Sequence, residues 1–297
     1  KTKAAMANHY FIDHISSEKP ILITGQTASG KSKLALQIAE KRDSVIINAD
    51  AIQVFENWRI LTARPSPAEE SKVKHELYGH IPAEVEYSVG HWLGEVKKIL
   101  SSCSRPIIVG GTGLYFSALT KGLVDIPDIP AKIKVEANNR IQSNGFESLI
   151  EEIDLETIKK IDKNNPMRVQ RAWEVMKATG RGLVSWHNQT PEPTLSLKNC
   201  EAILLDCDAP TVNKRITNRF DQMLDNGLID EALKNFSTWN ENNPSSKAIG
   251  AKELMAFLKD EISIEQLKEE VVIATRQYAK RQRTWFRSKM KSWKKLN

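Results

Sequence analysis

Short apolar runs closed by glycine or polar residues punctuate the first half of the chain and return once in the second. Residues 20–24, Pro-Ile-Leu-Ile-Thr, end at Gly25, the pattern of a strand buried on both faces. Residues 44–48 and 105–111 repeat that pattern, the latter closing on Gly110 and Gly111, and residues 201–207 do so again. Helical spacing lies between them. It predicts a helix over 30–42 and another over 89–100, where Trp92, Leu93, Val96, Ile99 and Leu100 share one face. Strands alternating with helices imply right-handed crossovers and a parallel sheet covered on both sides.

After Leu123 the pattern changes. Residues 124–130 carry Pro127 and Pro130 and read as a hinge, and 131–180 shows helical spacing alone. Beyond the run at 201–207, helices are predicted over 211–226, 228–239, 250–259 and 264–293. The organisation this implies is an α/β core over 1–125, a helical insert over 126–198, and the core resumed over 199–297.

Composition narrows the class. Hydrophobic residues at 40% and charged residues at 27% are those of a folded globular chain rather than a disordered one. No window reaches the ~18 uninterrupted apolar residues of a membrane span, and residues 1–10 lack the apolar run of a secretory signal. A cytosolic protein is expected, although a short basic beginning also suits the remnant of an organelle address. Cys103, Cys200 and Cys207 form no CxxC and cannot pair completely, so no disulfide framework or thiolate zinc site is predicted. His9, His14, His75, His80, His91 and His187 show no metal-ligand spacing.

The net charge of +6 is unevenly spread. Arg276, Lys280, Arg281, Arg283, Arg287, Lys289, Lys291, Lys294 and Lys295 lie in one stretch without an acid, and the other 34 basic residues face 37 acidic ones. A helix end favours a few cations through its dipole. Nine exceed that need and suit a polyanion, nucleic acid above all.

The chemistry begins at Gly25, Gln26, Thr27, Ala28, Ser29, Gly30, Lys31 and Ser32, which satisfy G-x-x-x-x-G-K-[ST] between a strand and a helix. Inward-pointing amides and the helix N-terminus make an anion cradle. Lys31 adds a charge to the terminal phosphate oxygens, and the Ser32 hydroxyl is a Mg2+ ligand. The fold class is therefore α/β, a P-loop NTPase-like parallel sheet core with an inserted all-helical domain. Asp50 closes the second strand at the edge where open α/β sheets place ligands. It suits holding magnesium through water or accepting a proton, and equally suits capping a turn. Gln53 offers a carboxamide for a nucleobase or a carboxylate, and Thr112, after Gly110 and Gly111, offers a hydroxyl beside the first loop.

Taken together, these segments resemble the tRNA dimethylallyltransferases (tRNA isopentenyltransferases). The resemblance rests on the phosphate loop, Asp50 to Phe55, Arg64-Pro65-Ser66, Gly110-Gly111-Thr112-Gly113-Leu114-Tyr115, the helix opened by Asn165-Pro166-Met167-Arg168, Arg219-Phe220 with Met223-Leu224, Ile249-Gly250 with Lys252-Glu253, and Tyr278-Ala279-Lys280-Arg281-Gln282 with Trp285-Phe286-Arg287. Without a C2H2 finger after Arg287, the compact bacterial form is the one it resembles. Gln26 stands where the family usually has Pro, Ala51 where it has Ser, and Phe55 where it has Tyr.

The resemblance implies that Gly25 to Ser32 holds dimethylallyl diphosphate with Mg2+ on Ser32, and that the acceptor is N6 of the adenosine 3′ of the anticodon in tRNA. It implies Asp50 as proton acceptor, Lys31 and Arg219 as stabilisers of the departing diphosphate, and Thr112 on the acceptor side. It places tRNA contacts at Asp50, Ala51, Ile52, Gln53, Thr112, Met167, Arg168, Val169, Gln170, Arg171, Lys280, Arg281, Arg283 and Arg287. Trp285 and Phe286 suit either base stacking or core packing. The expected partners are the tRNA anticodon stem-loop and the donor, with no membrane, for a monomeric enzyme. An adenylate isopentenyltransferase, a small-metabolite kinase and an RNA-stimulated NTPase are the alternatives. The basic last helix and the Arg168–Arg171 surface favour tRNA over free adenylate.

Overall fold

The computed structural model describes residue 15 and residues 18–103 and 105–296. The basic start at 1–10, with His9, and His14 lie outside the described residues. By compactness the chain divides into two units, Lys1–Thr120 with Leu195–Asn297, and Lys121–Thr194 between them. The helical unit thus starts and ends a few residues before the 126–198 expected.

In the first unit β1 (Ile21–Gly25) leads to α1 (Lys31–Arg42), then β2 (Ile46–Asn48), α2 (Pro67–Lys72), β3 (His75–Glu76), α3 (Val89–Leu100), β4 (Ile107–Gly110) and α4 (Gly113–Lys121). The second unit holds α5 (Ala131–Asn144), a 3-10 turn at Phe146–Glu152, α6 (Leu155–Lys160), α7 (Pro166–Thr179) and α8 (Leu183–His187). The chain then returns through β5 (Glu201–Leu205), α9 (Ala209–Asp225), α10 (Leu228–Phe236), α11 (Ala251–Leu258), α12 (Ile264–Lys289) and β6 (Lys294–Leu296). Among the described residues the sheet runs β3-β2-β4-β1-β5-β6, and every pairing is parallel.

Burial on both faces explains the unbroken apolar runs. Ile21, Ile23, Ile107, Val109, Ile203 and Leu205 pack on Leu34, Ala35, Ile38 and Ala39 of α1. Leu22, Ile108 and Leu204, which alternate with them, are buried too. A separate cluster joins α9 to α12 through Val212, Ile216, Phe220, Leu228, Leu254 and Val271. Each such side chain contributes about 1.5–3 kcal/mol by leaving water. In the helical unit Ile133, Leu149, Val169, Ala172 and Trp173 form a core of their own. There Asn165 caps α7 ahead of Pro166, and Trp173 Nε1 donates to Glu152 at 2.9 Å.

Two strands escape the hydrophobic pattern. β3 is only His75-Glu76, too short and polar to register as a run, and it closes one edge against Ile46 and Ile47. β6 follows directly on the stretch where the spacing predicts helix, to 293. Instead α12 ends at Lys289, and Trp293 buries edge-on against Phe116 at 5.3 Å. The chain is thereby drawn back beside β5, and Lys294 and Lys295 sit on an edge strand, where lysine discourages further pairing.

Candidate functional site

β1 delivers Gly25 to the carboxyl edge of the sheet, and the loop enters α1 through Ala28 and Gly30, both left-handed at φ 60° and 96°. For alanine that geometry is strained by roughly 1–3 kcal/mol and persists only where surroundings enforce it. Here they do. Arg215 Nη1 donates to the Ser29 carbonyl at 3.2 Å, and the Thr27 N–H donates to Gln282 Oε1 at 2.8 Å. Buried Gln26 donates through Nε2 to the Cys207 carbonyl at 2.6 Å and accepts from Arg283 at 3.4 Å. Hydrogen bonds thus stiffen the loop at the position where proline would have done so by its ring.

Lys31 lies at the floor of this loop, its Nζ 3.4 Å from the Gln26 carbonyl. Burial, then neighbouring Arg219, lowers its pKa to about 8, and Asp50 offsets part of that. The ammonium is therefore charged at neutral pH. Arg219, half-buried like Lys31, reaches Thr27 Oγ1 at 3.4 Å, and desolvation lowers its pKa too. Two partly desolvated cations side by side cost free energy until an anion joins them.

The anion has a place. A cavity of about 310 Å³ is bounded by Lys31, Ser32, Arg64, Tyr78 and Arg219. A second, of about 380 Å³, is bounded by Thr27, Asp50, Ile52, Phe220, Met223 and Tyr278. Arg219 and Ala63 line both. Ala63 is another left-handed alanine, φ 52°, and its carbonyl accepts from Gln53 Nε2 at 3.0 Å. The preceding turn is pinned by Glu231, whose carboxylate accepts from the N–H groups of Arg59, Ile60 and Leu61 at 2.7–2.9 Å.

Asp50 caps a turn and also lines a cavity. Its Oδ1 caps the turn, accepting from the N–H groups of Ile52 at 2.9 Å and Gln53 at 3.3 Å. Its carboxylate nevertheless faces the second cavity, and its charge reaches Tyr278, whose hydroxyl burial first and Asp50 second hold above the usual range. Asn48 sets the turn, accepting from the Asp50 N–H at 2.9 Å and donating to the Leu77 carbonyl at 2.9 Å. Gly110 is required beside it, because a Cβ there would meet the Ala49 carbonyl at 2.0 Å.

Several expected contacts are placed otherwise. Gln53 spends both amide protons on the Thr62 and Ala63 carbonyls, at 2.8 and 3.0 Å, and so holds the wall between the cavities rather than reading a base edge. The Thr112 hydroxyl accepts from the Ala51 N–H at 2.9 Å, which ties the strand ends together and leaves its proton free to donate. Ile52 lines the second cavity. In the helical unit Val169 is wholly buried, its N–H bonded to the Asn165 carbonyl at 3.1 Å, whereas Met167, Arg168 and Arg171 are exposed. Gln170 pairs with Asn138 and Glu174, both at 2.9 Å. On α12, Lys280 and Arg281 are exposed, Arg283 turns to Gln26, and Arg287 lies 3.7 Å from Asp206. Phe286 is core, and Trp285 covers Gly113, where a Cβ would strike its ring.

Sequence reasoning gave no role to Arg215, and named Gln282 and Arg64 only as members of motifs. Gln282 had a further signal, being the polar member of a stripe, Ala279, Gln282 and Phe286, that faces inward at helical spacing. Among the described residues no cluster of three or more His, Cys, Asp or Glu is placed to hold a metal, and no helix is long and apolar enough to cross a membrane.

Comparison with known proteins agrees with this geometry. Residues 53–289 match the family model described as IPP transferase, and residues 19–78 match that described as Isopentenyl transferase. The chain is 52% identical to a tRNA dimethylallyltransferase of Roseobacter denitrificans, over 93% of this chain and 98% of that one. It is 49% identical to one of Cereibacter sphaeroides, over 95% and 90%. Among solved structures it resembles a tRNA isopentenylpyrophosphate transferase of Bacillus halodurans, with TM-score 0.65 and 31% identity over 94% and 90% of the two chains. A eukaryotic dimethylallyltransferase acting on tRNA superposes with TM-score 0.77 at 27% identity, over 91% and 70%.

Proposed function

This chain belongs to the IPP transferase family, and on that premise we propose that it moves a dimethylallyl group from dimethylallyl diphosphate to N6 of the adenosine 3′ of the anticodon in tRNA. The observation that carries the reading is the pair of cavities meeting at Arg219, one lined by cations and a hydroxyl, the other apolar with Asp50 on its wall.

The residues support a simple division of labour. The adenine lone pair is delocalised, so N6 is a weak nucleophile whose proton turns acidic as the new bond forms. The N6 electron pair bonds to C1 of the donor, the C1–O bond breaks with its pair onto diphosphate, and the N6 proton passes to the Asp50 carboxylate. Lys31, Arg219 and the loop amides face the charge that develops on the leaving group. Apolar walls such as Phe220 and Met223 keep water from an allylic centre that would otherwise hydrolyse.

The donor set fits magnesium held mainly by substrate. The Ser32 hydroxyl, exposed at the first turn of α1 in the cationic cavity, would be the protein ligand, the substrate's diphosphate oxygens and water supplying the rest. An ion held there would supply charge neutralisation for the diphosphate. Arg168, Arg171, Lys280 and Arg281 are exposed cations suited to the RNA backbone, and the cytosol is the proposed compartment for a monomeric enzyme.

Mass analysis of RNA nucleosides tests the reading. An anticodon stem-loop incubated with the chain, dimethylallyl diphosphate and magnesium should gain one dimethylallyl group on the target adenosine. Consumption of ATP with no prenylated nucleoside would overturn it in favour of a kinase or NTPase.

A further inference from the structure

Gln282 is a buried carboxamide in a cationic stretch of α12, and its bonds cross the site rather than follow the helix. Its Oε1 accepts from the Thr27 N–H at 2.8 Å and its Nε2 donates to the Gly111 carbonyl at 3.0 Å. Thr27 belongs to the loop after β1 and Gly111 to the turn after β4, while Asp50 follows β2, and β4 lies between β1 and β2 in the sheet. One side chain therefore ties the diphosphate loop to the turn against which the carboxylate packs. A Cβ at residue 111 would lie 2.5 Å from Gln282 Nε2 and 3.5 Å from Asp50 Oδ2, so the amide and the carboxylate flank the same glycine.

We propose that Gln282 is a positioning residue, holding the phosphate loop in register with the strand end that carries Asp50, so that donor carbon and acceptor nitrogen meet at bonding distance. The inference rests on the transfer reaction proposed above. Gln282 lines neither cavity; it acts through the Thr27 amide and the Gly111 carbonyl, with a further side-chain hydrogen bond to Tyr278. A carboxamide suits the task because it accepts and donates at once without a charge that Asp50 or Arg283 would perturb. Loss of register at a reacting centre by about 1 Å is enough to slow chemistry by about 10²-fold.

The test uses the full chain. Q282M keeps the volume and removes both bonds; G111A approaches the same contact from the other side, its methyl displacing Nε2. With saturating dimethylallyl diphosphate and anticodon stem-loop RNA, single-turnover transfer in Q282M should fall by about 10- to 100-fold. Dissociation constants for dimethylallyl thiolodiphosphate and for the RNA should stay within about threefold, because the carboxamide lines neither cavity. The Q282M/G111A double variant should be no slower than the slower single variant, since both break one contact. Transfer within about twofold of wild type in Q282M, or additive losses in the double variant, would overturn the proposal. If Q282M does not fold, G111A alone carries the same split between rate and affinity. The Thr27 amide proton should exchange with solvent at least about tenfold faster in either variant, and unchanged exchange would also overturn it. If the wild-type chain prenylates no RNA, the functional reading fails, while amide exchange still decides whether Gln282 holds the loop.

Discussion

The two cavities that share Arg219 are built in opposite ways. The cationic one is nucleated by Lys31 and Ser32 of one contiguous loop, with Arg64, Tyr78 and Arg219 closing it, whereas the mostly apolar one has no such local nucleus and draws Asp50, Phe220, Ile249, Val271 and Tyr278 from segments scattered over most of the chain. The contrast follows from what each must recognise. A diphosphate is met by backbone amides, a helix terminus and one lysine, all of which a single turn supplies. A planar base and a branched five-carbon chain offer few polar handles, so they need walls shaped by long-range packing.

That contrast can be broken at several points. The largest effect is expected at Asp50, where Asp50→Asn should cut transfer by about 10²–10⁴-fold and leave RNA affinity unchanged, because proton removal is lost while the wall remains. Full activity in that variant would confine Asp50 to its turn. Next comes Phe220→Ala, which should cost about 3–5 kcal/mol in denaturant unfolding, since Phe220 is core and cavity wall at once. Lys31→Met should lower single-turnover transfer by about 10²–10³-fold without lowering the melting temperature, because burial already opposes the Lys31 charge. A large drop in stability there would mean that the loop lysine is structural. The smallest effect belongs to the rim: neutralising Lys280 and Arg281 should reduce the slope of log affinity for RNA against log salt by about 1.4, at ~0.7 per phosphate contact. An unchanged slope would make them a solvated helix face.

How far each cavity was legible follows the same division. The phosphate loop could be read because its signal is local, with strand, glycines, lysine and hydroxyl within one short segment. Asp50 can be placed at a strand end by counting, but only the fold shows that its carboxylate both caps the turn and lines a cavity. In the sequence Gln53 offers a carboxamide for a nucleobase or a carboxylate, and in the fold its amide protons go to the Thr62 and Ala63 carbonyls, partners with no sequence signature. Val169 shared a motif with Arg168 and Gln170, yet helical geometry turns it inward. The spacing predicts helix to 293, but α12 stops at Lys289, Trp293 packs against Phe116, and β6 begins at Lys294.

By itself, then, the sequence determined the parallel α/β core, the anion cradle and the cationic character of the last helix, because each depends on spacing within a few turns of chain. Only the tertiary structure decided which polar side chains face a cavity and which brace it. Gln26, Gln53, Thr112 and Gln282 are alike in offering a hydrogen bond, and what they bond to is set by partners as many as 257 residues away in the chain.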